Sequence, residues 1–141
     1  MEQYFMKQAL KLAKEAFKKE EVPVGAVIVK NEKIIGFGKN EQYQTKKGYR
    51  HAEFNAINNA LKKETNLENS TIYITLEPCL FCFGYIVENK IKKIIYAADS
   101  PKYGFSKYIK GESIFKKTIV EKLETKGEEA ALLKEFFQNK R

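Results

Sequence analysis

His51-Ala52-Glu53 and, further along, Pro78-Cys79-Leu80-Phe81-Cys82 supply side chains that can hold a metal and work on a water molecule. One imidazole and two thiolates are donors that zinc favours, and three protein ligands leave its fourth position to water. A carboxylate outside the ligand set, here Glu53, can then carry protons for that water. Zinc lowers the pKa of its water toward ~7, so hydroxide is available at neutral pH. Such a nucleophile can attack an amidine-like carbon bearing an exocyclic amine and release ammonia. His51 is the only histidine, and Cys79 and Cys82 are the only cysteines. The spacing therefore predicts one Zn²⁺ per chain on His51, Cys79 and Cys82, with Glu53 as proton shuttle.

Blander readings apply to each piece alone. A C-x-x-C pair also serves as half of a structural zinc site or as a redox dithiol. A lone histidine is commonly a packing or surface residue, and a glutamate early in a helix commonly serves the helix dipole. A closed four-ligand site would need another Cys or His, which the chain lacks. A redox dithiol would need neither His51 nor Glu53.

These side chains must be positioned by the elements around them. Tyr4 to Lys19 has Leu12, Ala13, Ala16 and Phe17 near helical spacing, which predicts an amphipathic first helix. Val24 to Val29 is a continuous apolar, largely β-branched run, the mark of a strand covered on both faces. Asn31-Glu32-Lys33 turns into Ile34-Ile35-Gly36-Phe37 and predicts an antiparallel hairpin. Gly38 to Arg50 reads as a polar loop leading to His51. A helix over Ala52 to Lys63, a strand over Thr71 to Leu76, a helix over Cys79 to Asn89 and a strand over Lys93 to Ala98 follow. Asp99 to Gly111 reads as a loop, Thr118 to Leu123 as a weak strand and Glu128 to Gln138 as the last helix. Strand–helix–strand alternation implies parallel neighbours with crossover helices, hence a three-layer α/β/α domain over residues 1–141. His51 and Cys79 then stand at two helix starts on one sheet edge, where open α/β folds place their sites. Partial positive charge at a helix start also favours the thiolate.

The 141 residues carry a formal charge of +8, and only Arg50 and Arg141 among the 26 basic residues are arginine. That charge suits a polyanionic partner, and equally a lysine-rich source composition. No apolar run approaches the ~18 residues of a membrane span. The start of the chain reads straight into a helix rather than a targeting peptide, and the cysteines do not form a disulfide framework, so a cytoplasmic, reducing setting is expected.

With these motifs in view, the chain resembles the cytidine-deaminase-like superfamily, and within it the bacterial tRNA-specific adenosine deaminases. The likeness runs through Glu21 to Val27, Gly36-Phe37-Gly38-Lys39-Asn40, Thr75-Leu76-Glu77-Pro78-Cys79 with Cys82-x-Gly84, and the closing Ala130 to Phe137. It implies a five-stranded mixed central sheet, a homodimer, and conversion of the wobble adenosine of a tRNA anticodon stem-loop to inosine, with the base splayed out into the pocket. It also implies that Asn40 binds the base, that Ala52 offers backbone beside the metal, and that Pro23 and Val24 line the pocket. Arg50 stands where relatives usually carry a small residue, Phe81, Phe83 and Tyr85 are bulky, and the stretch after Asp99 departs from the pattern. Phe81, Phe83, Tyr103, Phe105 and Tyr108 are candidates to stack on bases, and Phe81 and Phe83 equally for packing. His51 to Ile57 is also similar to deoxycytidylate deaminases, so a nucleotide or free-base deaminase (deoxycytidylate, cytosine or guanine) is the alternative. A catalytically idle RNA-binding subunit is a third reading, against which Glu53 argues.

Overall fold

A computed structural model describes residues 1–109 and 117–139. Gly25–Lys30 (β1) and Lys33–Lys39 (β2) form the expected hairpin, turned by Asn31 and Glu32 at positive φ of 52° and 62°. Two left-handed residues in succession match the right-handed twist of the strands they join. Thr71–Leu76 (β3), Lys93–Ala98 (β4) and Ile119–Lys122 (β5) complete a mixed sheet ordered β2-β1-β3-β4-β5. β1 runs antiparallel to both neighbours, while β3, β4 and β5 run parallel.

The apolar run of β1 is explained by its central position. Val27 and Val29 face Phe5, Met6 and Ala9 of Glu2–Lys18 (α1), while Ala26 and Ile28 face Ala56, Ile57 and Ala60 of Ala52–Leu61 (α3). A strand between two helical layers has no face for polar residues. Leu80–Glu88 (α4) lies beside α3, and Glu128–Asn139 (α5) lies beside α1 with Phe136 edge-on to Phe17. The three-layer α/β/α expectation and the five-stranded mixed sheet are both met. No helix among the described residues is long and apolar enough to cross a membrane.

Two glycines set how closely α3 approaches the sheet. A Cβ on Gly36 would meet Ala56 O at 2.7 Å, and one on Gly38 would overlap Ala56 N. Glycine in β2 therefore lets the helix backbone lie directly on the strand.

Local differences from the sequence reading lie in the loops. Gly38 to Arg50 contains a one-turn helix, Gln42–Thr45 (α2), whose Tyr43 and Gln44 amides donate to the buried carboxylate of Glu21 at 3.0 and 2.8 Å. That partner lies about twenty residues away in sequence, so local pattern could not announce it. The loop after β4 likewise contains a 3-10 turn at Phe105–Lys107. The sequence reading extends that loop to Gly111, and residues 110 and 111 lie outside the described residues.

Candidate metal centre and active site

His51 and Cys79 are both N-cap residues, of α3 and α4, with extended backbones (φ −74°, ψ 160° and φ −72°, ψ 172°). An N-cap side chain ordinarily folds back onto its own helix amides. Neither does so here, and both turn instead toward each other. Cys82 follows in the first turn of α4 and is buried. His51 Nδ1 lies 3.7 Å from Cys79 Sγ and 3.4 Å from Cys82 Sγ, and the three donor atoms fall within 4.8 Å of one another. A tetrahedral zinc at ~2.05 Å from nitrogen and ~2.3 Å from sulfur would hold each N···S pair about 3.6 Å apart. The observed separations bracket that value. Two thiolates and a neutral imidazole would balance the ion's charge, so the donor set fits zinc in both spacing and charge.

The charges in the donor cluster have physical causes. A hydrogen bond from Cys82, then the neighbouring His51, holds the Cys79 thiol down at about 4, against the opposing effect of burial. Cys82 is pushed up, first by that same bond to Cys79 and then by burial. His51 is raised, chiefly by its hydrogen bond with Cys79, although burial works against it.

Glu53 is 4% exposed and does not join the cluster of donor atoms. Burial is the main force that raises its carboxyl to about 7, and the Cys82 thiol is a hydrogen-bonding neighbour. Two residues apart in a regular helix, His51 and Glu53 would face different ways. His51 escapes that constraint because an N-cap is not yet helical. The side chains therefore converge while only Glu53 obeys the helix.

A chain of backbone links gathers the other expected residues. Asn40 N–H donates to the Val24 carbonyl at 3.2 Å, and Ala52 N–H donates to Asn40 Oδ1 at 2.8 Å. Asn40 is 6% exposed. A backbone amide can only donate, so the atom facing Ala52 is the carbonyl oxygen, and Nδ2 faces the other way. The Ala52 N–H is committed to Asn40 rather than open to a ligand. Val24 packs its side chain in the core, and Pro23 beside it is buried.

Of the aromatic candidates, Phe105 is corrected, and Phe83 takes the packing role that was its alternative. Both are buried, and their rings stack at 4.0 Å with a 3° interplanar angle. Phe81, Tyr103 and Tyr108 are exposed. Glu77, which the sequence presents only as part of a motif, has a clear task. Its buried carboxylate accepts from Ser100 N–H at 3.3 Å, Ser106 N–H at 3.1 Å and Ser106 Oγ at 2.5 Å. It ties the loop after β4 to the segment that carries Cys79. Glu77 was visible as an acid in an apolar stretch, but its donors are more than twenty residues away.

Residues 1–98 match the family model for the cytidine and deoxycytidylate deaminase zinc-binding region. The chain belongs to this deaminase family. A family defined by zinc binding, together with the fit of the donor set, makes zinc its cofactor on His51, Cys79 and Cys82. Among its relatives within that family is the tRNA-specific adenosine deaminase of Buchnera aphidicola subsp. Schizaphis graminum, 39% identical over 98% of this chain and 95% of that protein. The tRNA-specific adenosine deaminase of Streptococcus pyogenes serotype M18 is 43% identical over 72% of this chain. That match spans 65% of the Streptococcus protein, just under two thirds of its length. A solved structure from work on A-to-I editing by tRNA:A34 deaminases superposes with a TM-score of 0.74 at 29% identity, over 86% of this deaminase chain and 98% of its own.

Proposed function

We propose that the protein hydrolytically deaminates the wobble adenosine of a tRNA anticodon to inosine, releasing ammonia. The observation that carries the reading is a buried acid, Glu53, held beside a three-donor His/Cys/Cys cluster without entering it. A closed structural site has no use for such a group. Adenosine in tRNA, rather than a free nucleotide, is supported by likeness to the Buchnera enzyme along nearly the whole of both chains.

A bound zinc supplies Lewis-acid activation of water at neutral pH. The chain's own residues do the rest. Glu53 takes one proton from the attacking water and hands it to the purine ring nitrogen, then takes the remaining proton of that oxygen and hands it to the departing amine, which leaves as ammonia. Asn40 spends its carbonyl on Ala52, which leaves Nδ2 to donate to an acceptor on the base. Because the target atom is inaccessible in a stacked anticodon, the base must be splayed into the pocket.

The reading includes a cytoplasmic homodimer. Tyr49, Phe54, Phe81 and Tyr85 form a ring cluster beside the metal site, and Tyr49 and Phe81 are 41% and 50% exposed. Covering those rings supports association of two copies. Phe81→Glu should shift the molecular mass in light scattering from dimer to monomer; an unchanged mass would sink this interface.

The deciding experiment compares ammonia release from an anticodon stem-loop, adenine, guanine, cytosine, cytidine and deoxycytidylate. Turnover of the stem-loop with inosine formed at the wobble position is expected. Turnover of deoxycytidylate or a free base alone would overturn the tRNA reading in favour of the nucleotide or base deaminase.

A further inference from the structure

Asn55 hydrogen-bonds the backbone on both sides of His51 and the peptide unit that precedes Asn40. Its Nδ2 donates to the Lys39 carbonyl at 2.8 Å, to Glu41 Oε1 at 3.2 Å and, more weakly, to the Arg50 carbonyl at 3.4 Å. Its backbone N–H donates to the His51 carbonyl at 3.0 Å. The Lys39 carbonyl belongs to the peptide unit that enters Asn40. The Arg50 and His51 carbonyls belong to the units on either side of His51. A planar peptide unit moves as one body, so fixing its oxygen fixes the torsions beside it.

The same neck is closed by three more bonds. Glu41 N–H donates to the Arg50 carbonyl at 2.9 Å, Arg50 Nη2 donates to Glu41 Oε1 at 3.1 Å, and His51 N–H donates to the Tyr49 carbonyl at 2.8 Å. Residues 41–50 thus form a loop whose two ends meet on one side chain of α3. Reaching across to β2 requires α3 to lie against Gly38, where any Cβ would overlap the helix backbone.

We infer that Asn55 is a positioning residue that sets the torsions of His51 and Asn40 together, so that the metal ligand and the base-binding amide keep one register. Two hydrogens shared among three acceptors suit a clamp, because the group serves whichever carbonyl begins to drift. The inference rests on the reading of His51 as ligand and Asn40 as the residue that binds the base. Arg50 and Glu41 share the clamp, so a larger residue before His51 gains a task here that a small one would lack.

The test is zinc affinity, read by competition with a chromophoric chelator on the zinc-loaded protein. Asn55→Asp keeps the shape but replaces the donor that faces two carbonyls and a carboxylate with an acceptor. Zinc should be held roughly ten- to a hundredfold more weakly, the range for groups that orient a ligand from behind. Adding Glu41→Gln relieves the repulsion between the two carboxylates but leaves the Lys39 and Arg50 carbonyls without their donor, so the double variant should recover only part of the affinity. If Asn55→Asp does not fold, Asn55→Ala is read in the same competition with the same expectation. Zinc affinity of Asn55→Asp within twofold of the parent, or a double variant that holds zinc as tightly as the parent, overturns the clamp. Competition needs no substrate. A parent protein that binds zinc but leaves the stem-loop untouched would overturn the proposed activity and leave the clamp standing.

Discussion

At the scale of single residues, the proposed chemistry assigns separate jobs to four side chains, and those jobs give separable outcomes. Glu53→Gln keeps the shape of a buried group and removes its proton-carrying capacity. It should retain zinc and fold while turnover falls roughly a hundred- to ten-thousandfold, the usual contribution of a general acid–base. Metal analysis and a single-turnover inosine assay check this; substantial residual turnover would remove Glu53 from the mechanism. Cys79→Ala with Cys82→Ala should abolish zinc binding, since only His51 would remain of the donor set. Retained zinc would mean that the cluster is not the site. Motif and spacing exposed these residues because ligand chemistry admits few residue types. The same information could not place Asn55 or Glu77, whose roles are defined by partners distant in sequence.

At the scale of elements, the site depends on how two helices meet the sheet edge. Both His51 and Cys79 occupy N-caps, so a shift of either helix moves a ligand directly. Gly38→Ala tests this for α3. A Cβ there would overlap Ala56 N and press on Ala52 O at 2.5 Å. The helix must yield, at a cost of about 1–3 kcal/mol for overpacking. Denaturant unfolding should show that loss, and zinc should be held more weakly as His51 is displaced. Full stability with parental zinc affinity would show that α3 is free to move. The element boundaries were readable because core strands and amphipathic helices carry strong periodic patterns. α2 was not, since one turn of helix has no period to detect and is held by Glu21 from another segment.

At the scale of the whole molecule, a formal charge of +8 favours a polyanion. Lys102, Lys107 and Lys117 are exposed near the loop that Glu77 anchors, while Lys110 and Lys116 of the same stretch lie outside the described residues. Changing the three described lysines to alanine should weaken stem-loop binding and reduce its salt slope by about 0.7 for each single-strand phosphate left without a lysine partner. An unchanged slope would place the RNA elsewhere. Burial sorts the aromatic residues in a way composition could not. Phe83 and Phe105 are bound into the core, whereas Phe81, Tyr103 and Tyr108 stay exposed, Phe81 with its ring against Tyr85.

Sequence alone determined the donor set, the free acid, the strands of the core and the alternating order of strand and helix. Each follows from residue type or from a period along the chain, and both are written locally. Tertiary structure alone decided that His51 and Glu53 converge, that Ala52 N–H is taken by Asn40, that Phe83 stacks inside, and that Asn55 spans the neck of the 41–50 loop. Those facts depend on which distant groups come within hydrogen-bond or van der Waals reach. Such proximity is set by the packing of α3 on β2, which no local pattern contains.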